Sequence, residues 1–142
     1  MEERHGMLWV HPSPHETLDL DTLLGGLTKK LAGWGLHNLF RVGRTRIAKR
    51  LNWKLANHTF GEPYHFPKLH KDTLTRVVYG DCLHYETFSR NRRFVFPLRV
   101  IDIVRERPEF KWRLTHGADA LYYLFPNIQL IVSSGAVNVG ND

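Results

Sequence analysis

The sequence contains one cysteine, Cys82, among its 142 residues. A single thiol cannot form an internal disulfide, and an iron–sulfur cluster held by this chain alone would need at least two thiolates. Free thiols persist in reducing compartments, so this cysteine usage predicts a cytoplasmic protein. The sequence also lacks a run of about 18 apolar residues, the length that a membrane-spanning helix needs. Its charged beginning, "MEERHGMLWV", is not typical of a signal peptide.

The composition is that of a globular domain, with 42% hydrophobic and 24% charged residues. The net charge of +6 raises nucleic acid as a partner, and basic residues cluster at 41–54 and 90–93. Such patches can bind phosphates. No recognised nucleic-acid motif accompanies them, so a solvated face or an acidic protein partner is the favoured interpretation.

The first half of the sequence contains strand and helix signals in alternation. Residues 6–11 are typical of a short strand. Leucines at helical spacing within 20–34 predict a core helix, which Thr17 or Asp19 can cap. In 37–55 apolar residues partly alternate with arginine and lysine, which predicts a half-buried antiparallel pair of strands.

The second half contains further strand signals around one short helix. Gly80-Asp81-Cys82 separates two strand-like runs and predicts a hairpin. Pro97 suits the first position of a helix that Pro108 ends. Residues 120–139 are rich in β-branched and aromatic residues, with a turn predicted at Pro126-Asn127. We therefore expect one domain over 1–142, of the α+β class, with a mainly antiparallel sheet and packed helices.

A histidine-rich stretch, "NWKLANHTFGEPYHFPKLH" at 52–70, is the strongest candidate for a metal site. On a continuous helix His65 and His70 would point about 140° apart and could not share a metal. Pro67 cannot donate a helical hydrogen bond and disfavours helical angles at Phe66, so we expect the chain to turn and bring His70 towards His65. The spacing makes such a half-site possible without establishing it, because nine histidines produce close pairs by chance.

A competing ligand set precedes this pair. His58, Glu62 and His65 are spaced at i, i+4 and i+7, which would place them on one helical face. Pro63 weakens that alternative because it interrupts a helix. The sequence contains no cysteine–histidine pattern at zinc-finger spacing.

The complete stretch resembles the mononuclear-iron motif in the catalytic domain of the large (alpha) subunit of Rieske-type aromatic ring-hydroxylating oxygenases. The family pattern is a strand ending in NWK, followed by an asparagine, an acidic residue and the string Y-H-x4-H. "GMLWVHPSP" is similar to the family's strand leaving the Rieske domain, and "YYLFPNIQLIV" to its FPN strand. The positions in register are Asn52, Trp53, Lys54, Gly61, Glu62, Tyr64, His65 and His70. The resemblance spans nearly the whole chain and implies a helix-grip (Bet v 1-like) fold that is incomplete in this chain.

The resemblance implies specific roles in this stretch. His65 and His70 would be the two imidazole ligands of a 2-His-1-carboxylate triad on Fe(II), which leaves positions open for dioxygen and substrate. Glu62 would be the carboxylate that links the Rieske centre of a neighbouring subunit to a ligand histidine. Thr59 occupies the position where the family usually has an asparagine close to the iron. Tyr64 would likewise be a neighbour of the iron ligands.

The implied activity is hydroxylation of aromatic or other apolar substrates with O2. Electrons would come from NAD(P)H through a reductase or ferredoxin, and a complete enzyme would be a homotrimer or hetero-oligomer. Two family features are missing from the sequence, the Cys/His motif of the 2Fe-2S Rieske cluster and the aspartate that is the third iron ligand. Asp102 and Asp119 lie in other sequence contexts and are not expected to replace that aspartate. We therefore expect a fragment of a longer subunit that is inactive alone, with the cluster and the aspartate on a missing segment or another chain.

An alternative keeps the fold without the iron, as a redox-inactive helix-grip module that binds a hydrophobic ligand. That function needs no carboxylate ligand. In both cases Phe60, Phe66, Leu69 and the strand "LYYLF" are candidates for the pocket wall. Packing in the core is the open alternative for each of them.

Overall fold

The computed structural model describes residues 1–134 and 136–141. The chain forms two compact units. The first contains Met1–Arg50 together with Phe88–Asn91, and the second contains Leu51–Thr87 and the residues from Arg92 onward.

The first unit begins with a small hairpin, in which β1 (Glu2–Arg4) pairs antiparallel with β2 (Met7–Trp9). β2 confirms the strand expected within 6–11. The turn contains Gly6, whose φ is +77°. A Cβ at Gly6 would lie 2.4 Å from the His37 nitrogen, so only glycine fits there.

The predicted core helix of the first unit forms as two helices, α1 (Leu20–Leu24) and α2 (Leu27–Ala32). Its leucines at 20, 24, 27 and 31 are buried, as the helical spacing predicts. Asp19 is the cap, since its carboxylate accepts a hydrogen bond from the Thr22 amide. The helix breaks at Gly25, which adopts a φ of +51°, because glycine enters this region at little steric cost.

The strands predicted within 37–55 are wrong. Leu36–Asn38 forms one 3-10 turn, and residues 39–50 form neither helix nor strand. All side chains from 39 to 50 are exposed, so the alternation of apolar and basic residues there marks no buried face.

The second unit is built on a five-stranded sheet in the order β3-β4-β5-β6-β7. The pairs from β4 to β7 are antiparallel. The strands are β3 (His84–Phe88), β4 (Asn91–Pro97), β5 (Ala118–Leu124), β6 (Ile128–Ser133) and β7 (Ala136–Asn141). These strands, together with the short helices, confirm the α+β antiparallel class.

Two local predictions for this sheet are wrong. No hairpin forms at Gly80-Asp81-Cys82; the chain reverses instead at Ser89, between β3 and β4. Pro97 is the last residue of β4 rather than the first of a helix, and its missing N–H falls at the final pair of β4 with β5, Pro97–Ala118. The helix that follows, α5, is shorter than expected, at Ile101–Val104.

The remaining helices of the second unit are α3 (Trp53–Phe60), α4 (Phe66–Leu69) and α6 (Leu114–Gly117). The side chain of Asn52 caps α3 by accepting a hydrogen bond from the Lys54 amide. The segment Asn52-Trp53-Lys54 is therefore a helix start, and not the strand end of the family pattern.

A hydrophobic cluster fixes α4 on the sheet. Its buried members are Val78, Phe94, Phe96 and Leu121, and Phe66 of α4 packs against them. The ring centroids of Phe66 and Phe96 are 6.0 Å apart. This packing places the histidine-rich stretch over the sheet.

Within the described residues, no helix has both the length and the apolar character needed to span a bilayer.

Candidate functional site

His65 and His70 flank the single helical turn of α4, one just before it and one just after. Their ring centroids are 5.2 Å apart, so the expected approach of His70 to His65 is confirmed. The expected route is wrong, because Phe66 is itself helical. Pro67 lies within the first turn of α4, where backbone N–H groups have no helical partner and its missing donor is tolerated.

Glu62 forms hydrogen bonds with both the side chain and the backbone of His65. Its Oε1 lies 2.5 Å from Nδ1 of the imidazole, and its Oε2 accepts hydrogen bonds from the backbone amides of Tyr64 (2.5 Å) and His65 (3.3 Å). An ionised carboxylate only accepts, so Nδ1 of His65 donates. In the neutral ring Nε2 then keeps its lone pair, the state in which a histidine binds a metal.

The electrostatics of Glu62 favour this arrangement. Burial by itself raises the pKa of the Glu62 carboxyl, but the hydrogen bonds from His65 and from the Tyr64 amide outweigh it. The net result is a pKa below the ordinary glutamate value. The carboxylate is therefore ionised at neutral pH and accepts from His65.

Both histidines line a cavity of about 210 Å³ between the helices and the sheet of the second unit, which we call the histidine cavity. Much of its wall is apolar, and includes Phe66, Phe96 and Leu121. The cavity combines two imidazoles with apolar surface, and could hold a ring-sized apolar molecule beside them.

Asp119 also lines the histidine cavity. It lies on β5, next to the Ala120–Val132 pair of β5 and β6, and its side chain hydrogen-bonds with Ser133 of β6. Burial raises the pKa of Asp119, and the hydrogen bond with Ser133 opposes that shift. The sequence signal for this placement is alternation, since Asp119 and the cavity residue Leu121 are two apart on one strand face.

The three titratable side chains do not amount to a complete metal site. Among the residues that the structure describes, no group of three histidine, cysteine, aspartate or glutamate side chains could hold a metal ion.

The other predicted residues divide between the cavity and the solvent. Thr59 and Phe60 line the cavity, and the Thr59 hydroxyl donates to the Leu55 carbonyl. Tyr64 is 82% exposed, and its backbone amide rather than its ring contacts Glu62. Leu69 is 75% exposed and does not line the cavity, so its proposed place in the wall is wrong.

A second cavity of about 550 Å³, which we call the polar cavity, lies against the same sheet. Phe60 and Leu121 line both cavities. The side chains that distinguish the polar cavity are Trp53, Lys54, Asn57, His58, Glu62, Tyr85, Arg92, Tyr123 and Gln129.

The competing ligand set of His58, Glu62 and His65 does not form one cluster around a single cavity. α3 ends at Phe60, before Pro63, so His58, Glu62 and His65 do not share a helical face. His58 lines the polar cavity, whereas His65 lines the histidine cavity. Asp102 lines neither, and its carboxylate accepts a hydrogen bond from the Tyr79 hydroxyl.

Comparison with protein families identifies the family of this chain. The family model described as ring hydroxylating alpha subunit (catalytic domain) matches residues 36–139. No curated protein and no solved structure matches the chain.

Proposed function

This chain belongs to the ring hydroxylating alpha subunit (catalytic domain) family, and from that premise we propose that its histidine cavity is the substrate and iron site of a Rieske non-haem iron oxygenase. The proposed reaction is hydroxylation of an aromatic or other apolar substrate with O2 and electrons derived from NAD(P)H. One observation supports it above the others: the rings of His65 and His70 meet in a cavity with a largely apolar wall.

In this proposal His65 and His70 hold an Fe(II) ion. A carboxylate other than Glu62 and Asp119 completes the ligand set. Bound iron would supply the reduction of dioxygen that hydroxylation requires. The chain's own residues do the rest. Glu62 fixes the orientation and tautomer of His65, and the aromatic wall around Phe66 and Phe96 binds the substrate and excludes water.

Glu62 is also the proposed entry point for electrons. It lines the polar cavity while its partner His65 lines the histidine cavity, so the hydrogen-bonded pair connects the two. A 2Fe-2S Rieske centre on a neighbouring subunit, reduced through a ferredoxin or reductase, would deliver electrons to this pair. A homotrimer or hetero-oligomer would bring that centre close.

Metal binding tests the ligand assignment. Purified protein is titrated anaerobically with Fe(II), and with Co(II) as a spectroscopic substitute, and compared with His65→Ala and His70→Ala. Each variant should bind at least about tenfold more weakly, since even residues behind the ligands change affinity by that factor. His58→Ala is the matched control, because that histidine lines the other cavity. Equal losses in all three variants, or no loss in any, would contradict the assignment.

The redox-inactive binding module is a second candidate. It is favoured by the apolar histidine cavity and by the lack of a three-residue metal cluster among the described residues. It predicts that the chain binds apolar aromatic ligands without any metal and that His65→Ala leaves this binding intact. Metal binding that depends on both histidines would decide against it.

A further inference from the structure

Asp119 is the acidic group of the histidine cavity and has no role in the proposed iron chemistry. Among the described residues that line this cavity, it alone carries a carboxyl group. It is half-buried at the start of β5, and Leu121 of the same strand face continues the cavity wall.

The carboxyl group has acceptor capacity to spare. Its two oxygens offer about four lone-pair positions, and Ser133 uses one. Two neighbouring polar side chains of the cavity donate elsewhere: Thr59 to a backbone carbonyl and His65 Nδ1 to Glu62. A ligand that brings a hydrogen-bond donor to this carboxyl group therefore binds more favourably, because a buried polar group without a partner is costly. The raised pKa of Asp119 agrees with such poor solvation.

The size and walls of the cavity restrict the ligand that can bring this donor. About 210 Å³ is below the usual range for drug-sized ligands, so a molecule of one or two rings fits. Phe60, Phe66 and Phe96 contribute aromatic surface suited to a flat ring.

We propose that Asp119 determines specificity, and that the histidine cavity selects one- or two-ring aromatic compounds carrying a hydrogen-bond donor, a hydroxyl or amino group, which donates to the Asp119 carboxylate. The inference rests on the proposed function, because it takes the histidine cavity to be the substrate site. The anchored substituent fixes one edge of the ring, and the rest of the ring then lies in the apolar space beside His65 and His70.

A matched pair of ligands tests the proposal. 2-Naphthol and 2-methylnaphthalene have nearly the same shape and differ in a hydroxyl against a methyl group. Fluorescence titration of the chain without metal should show about tenfold tighter binding of 2-naphthol, the effect of one hydrogen bond to a charged acceptor. In Asp119→Leu that preference should disappear through weaker 2-naphthol binding, while 2-methylnaphthalene still binds. Asp119→Asn, which keeps one acceptor oxygen, should retain part of the preference.

Two controls keep the result interpretable. Retained binding of 2-methylnaphthalene shows that Asp119→Leu is folded with its cavity intact, and the exposed Asp72→Asn should leave both affinities unchanged. An unchanged preference for 2-naphthol in Asp119→Leu would overturn the proposal, as would equal binding of the two ligands by the unmodified protein. Because the titration needs no metal, an Asp119-dependent preference in a chain that binds no iron would count against the assignment of His65 and His70 as iron ligands and would support the ligand selection proposed for Asp119.

Discussion

The histidine cavity and the polar cavity lie against the same sheet and share two wall residues, Phe60 and Leu121, yet they differ in chemistry. The histidine cavity is the smaller and combines two imidazoles and a carboxyl with largely apolar surface. The polar cavity carries two cationic side chains, Lys54 and Arg92, and an amide pair. The difference shows that neighbouring residues in the sequence can serve separate sites, because one helix end divides them.

Only one described contact between titratable side chains joins the two cavities. Glu62 lines the polar cavity and hydrogen-bonds to His65, which lines the histidine cavity. A change in the polar cavity can therefore affect His65 through the charge of Glu62. The shared wall residues, Phe60 and Leu121, instead keep the two cavities apart by packing. The following predictions test that distinction.

The largest effect is expected from the shared wall. Leu121 is 5% exposed within the hydrophobic cluster, so Leu121→Ala should lower the free energy of unfolding by about 2–5 kcal/mol in urea titrations. Phe60, on the helical side of the wall, is 47% exposed, and Phe60→Ala should have a clearly smaller effect. A larger loss from Phe60→Ala would show that the helix, not the sheet, maintains the separation.

The link between the cavities gives the next effect. Glu62→Gln keeps the size of the side chain but removes the charge that accepts from His65, so Co(II) affinity should fall about 10- to 100-fold in an absorption titration. The exposed Glu109→Gln changes the net charge equally and should leave affinity unaltered. Unchanged affinity in Glu62→Gln would mean that the pair does not tune the histidine.

In the wall of the polar cavity, Gln129 Nε2 donates a hydrogen bond to Asn57 Oδ1 at 2.7 Å. A double-mutant cycle with Asn57→Ala and Gln129→Ala should give a coupling energy of about 0.5–1.5 kcal/mol in urea unfolding. The exposed pair Asp72–Arg76, at 3.4 Å, is the control and should couple by less than about 0.5 kcal/mol. Zero coupling in the first cycle would mean that this bond does not stabilise the cavity.

The smallest effect is a pH dependence from Asp119. Its pKa is raised in the folded state, so the unfolded chain loses this proton at lower pH than the folded protein. Relative to Asp119→Asn, the unmodified protein should therefore lose stability as the pH rises from 3.8, the ordinary pKa of aspartate, to the raised pKa of Asp119, with a constant difference above it. Urea unfolding across this range measures the trend. Ser133→Ala removes the opposing hydrogen bond and should enlarge the difference; an opposite trend would mean that Asp119 is not poorly solvated.

Sequence patterns predicted the local features that depend on neighbouring residues. The leucine spacing predicted the buried face of the helices at 20–32, and Asp19 was one of two candidates for their cap. The β-branched run within 120–139 predicted strands that form at 118–124, 128–133 and 136–141. The family match at 36–139 agrees with the resemblance seen in the residues around Glu62, His65 and His70.

Other local patterns misled because packing decides them. Apolar and basic residues alternate at 37–55 and predicted strands, but their side chains are exposed. The alternation therefore produces no buried face that would stabilise a strand. Pro67 was expected to end helical geometry, yet at the first turn of α4 its missing N–H matters little. Gly80-Asp81-Cys82 has turn chemistry without the strand pairing that makes a hairpin.

By itself the sequence determined which donor atoms and charges are available, and the order of its side chains set the helix and strand periodicities. Only the tertiary structure decided which of them meet. In the tertiary structure His58 lies in a different cavity from His65, and Asp119, which is distant in sequence, lies in the cavity of the two histidines. The physical reason is that sheet register and helix ends set contacts between distant segments, and these arise from packing of the whole core rather than from any short stretch.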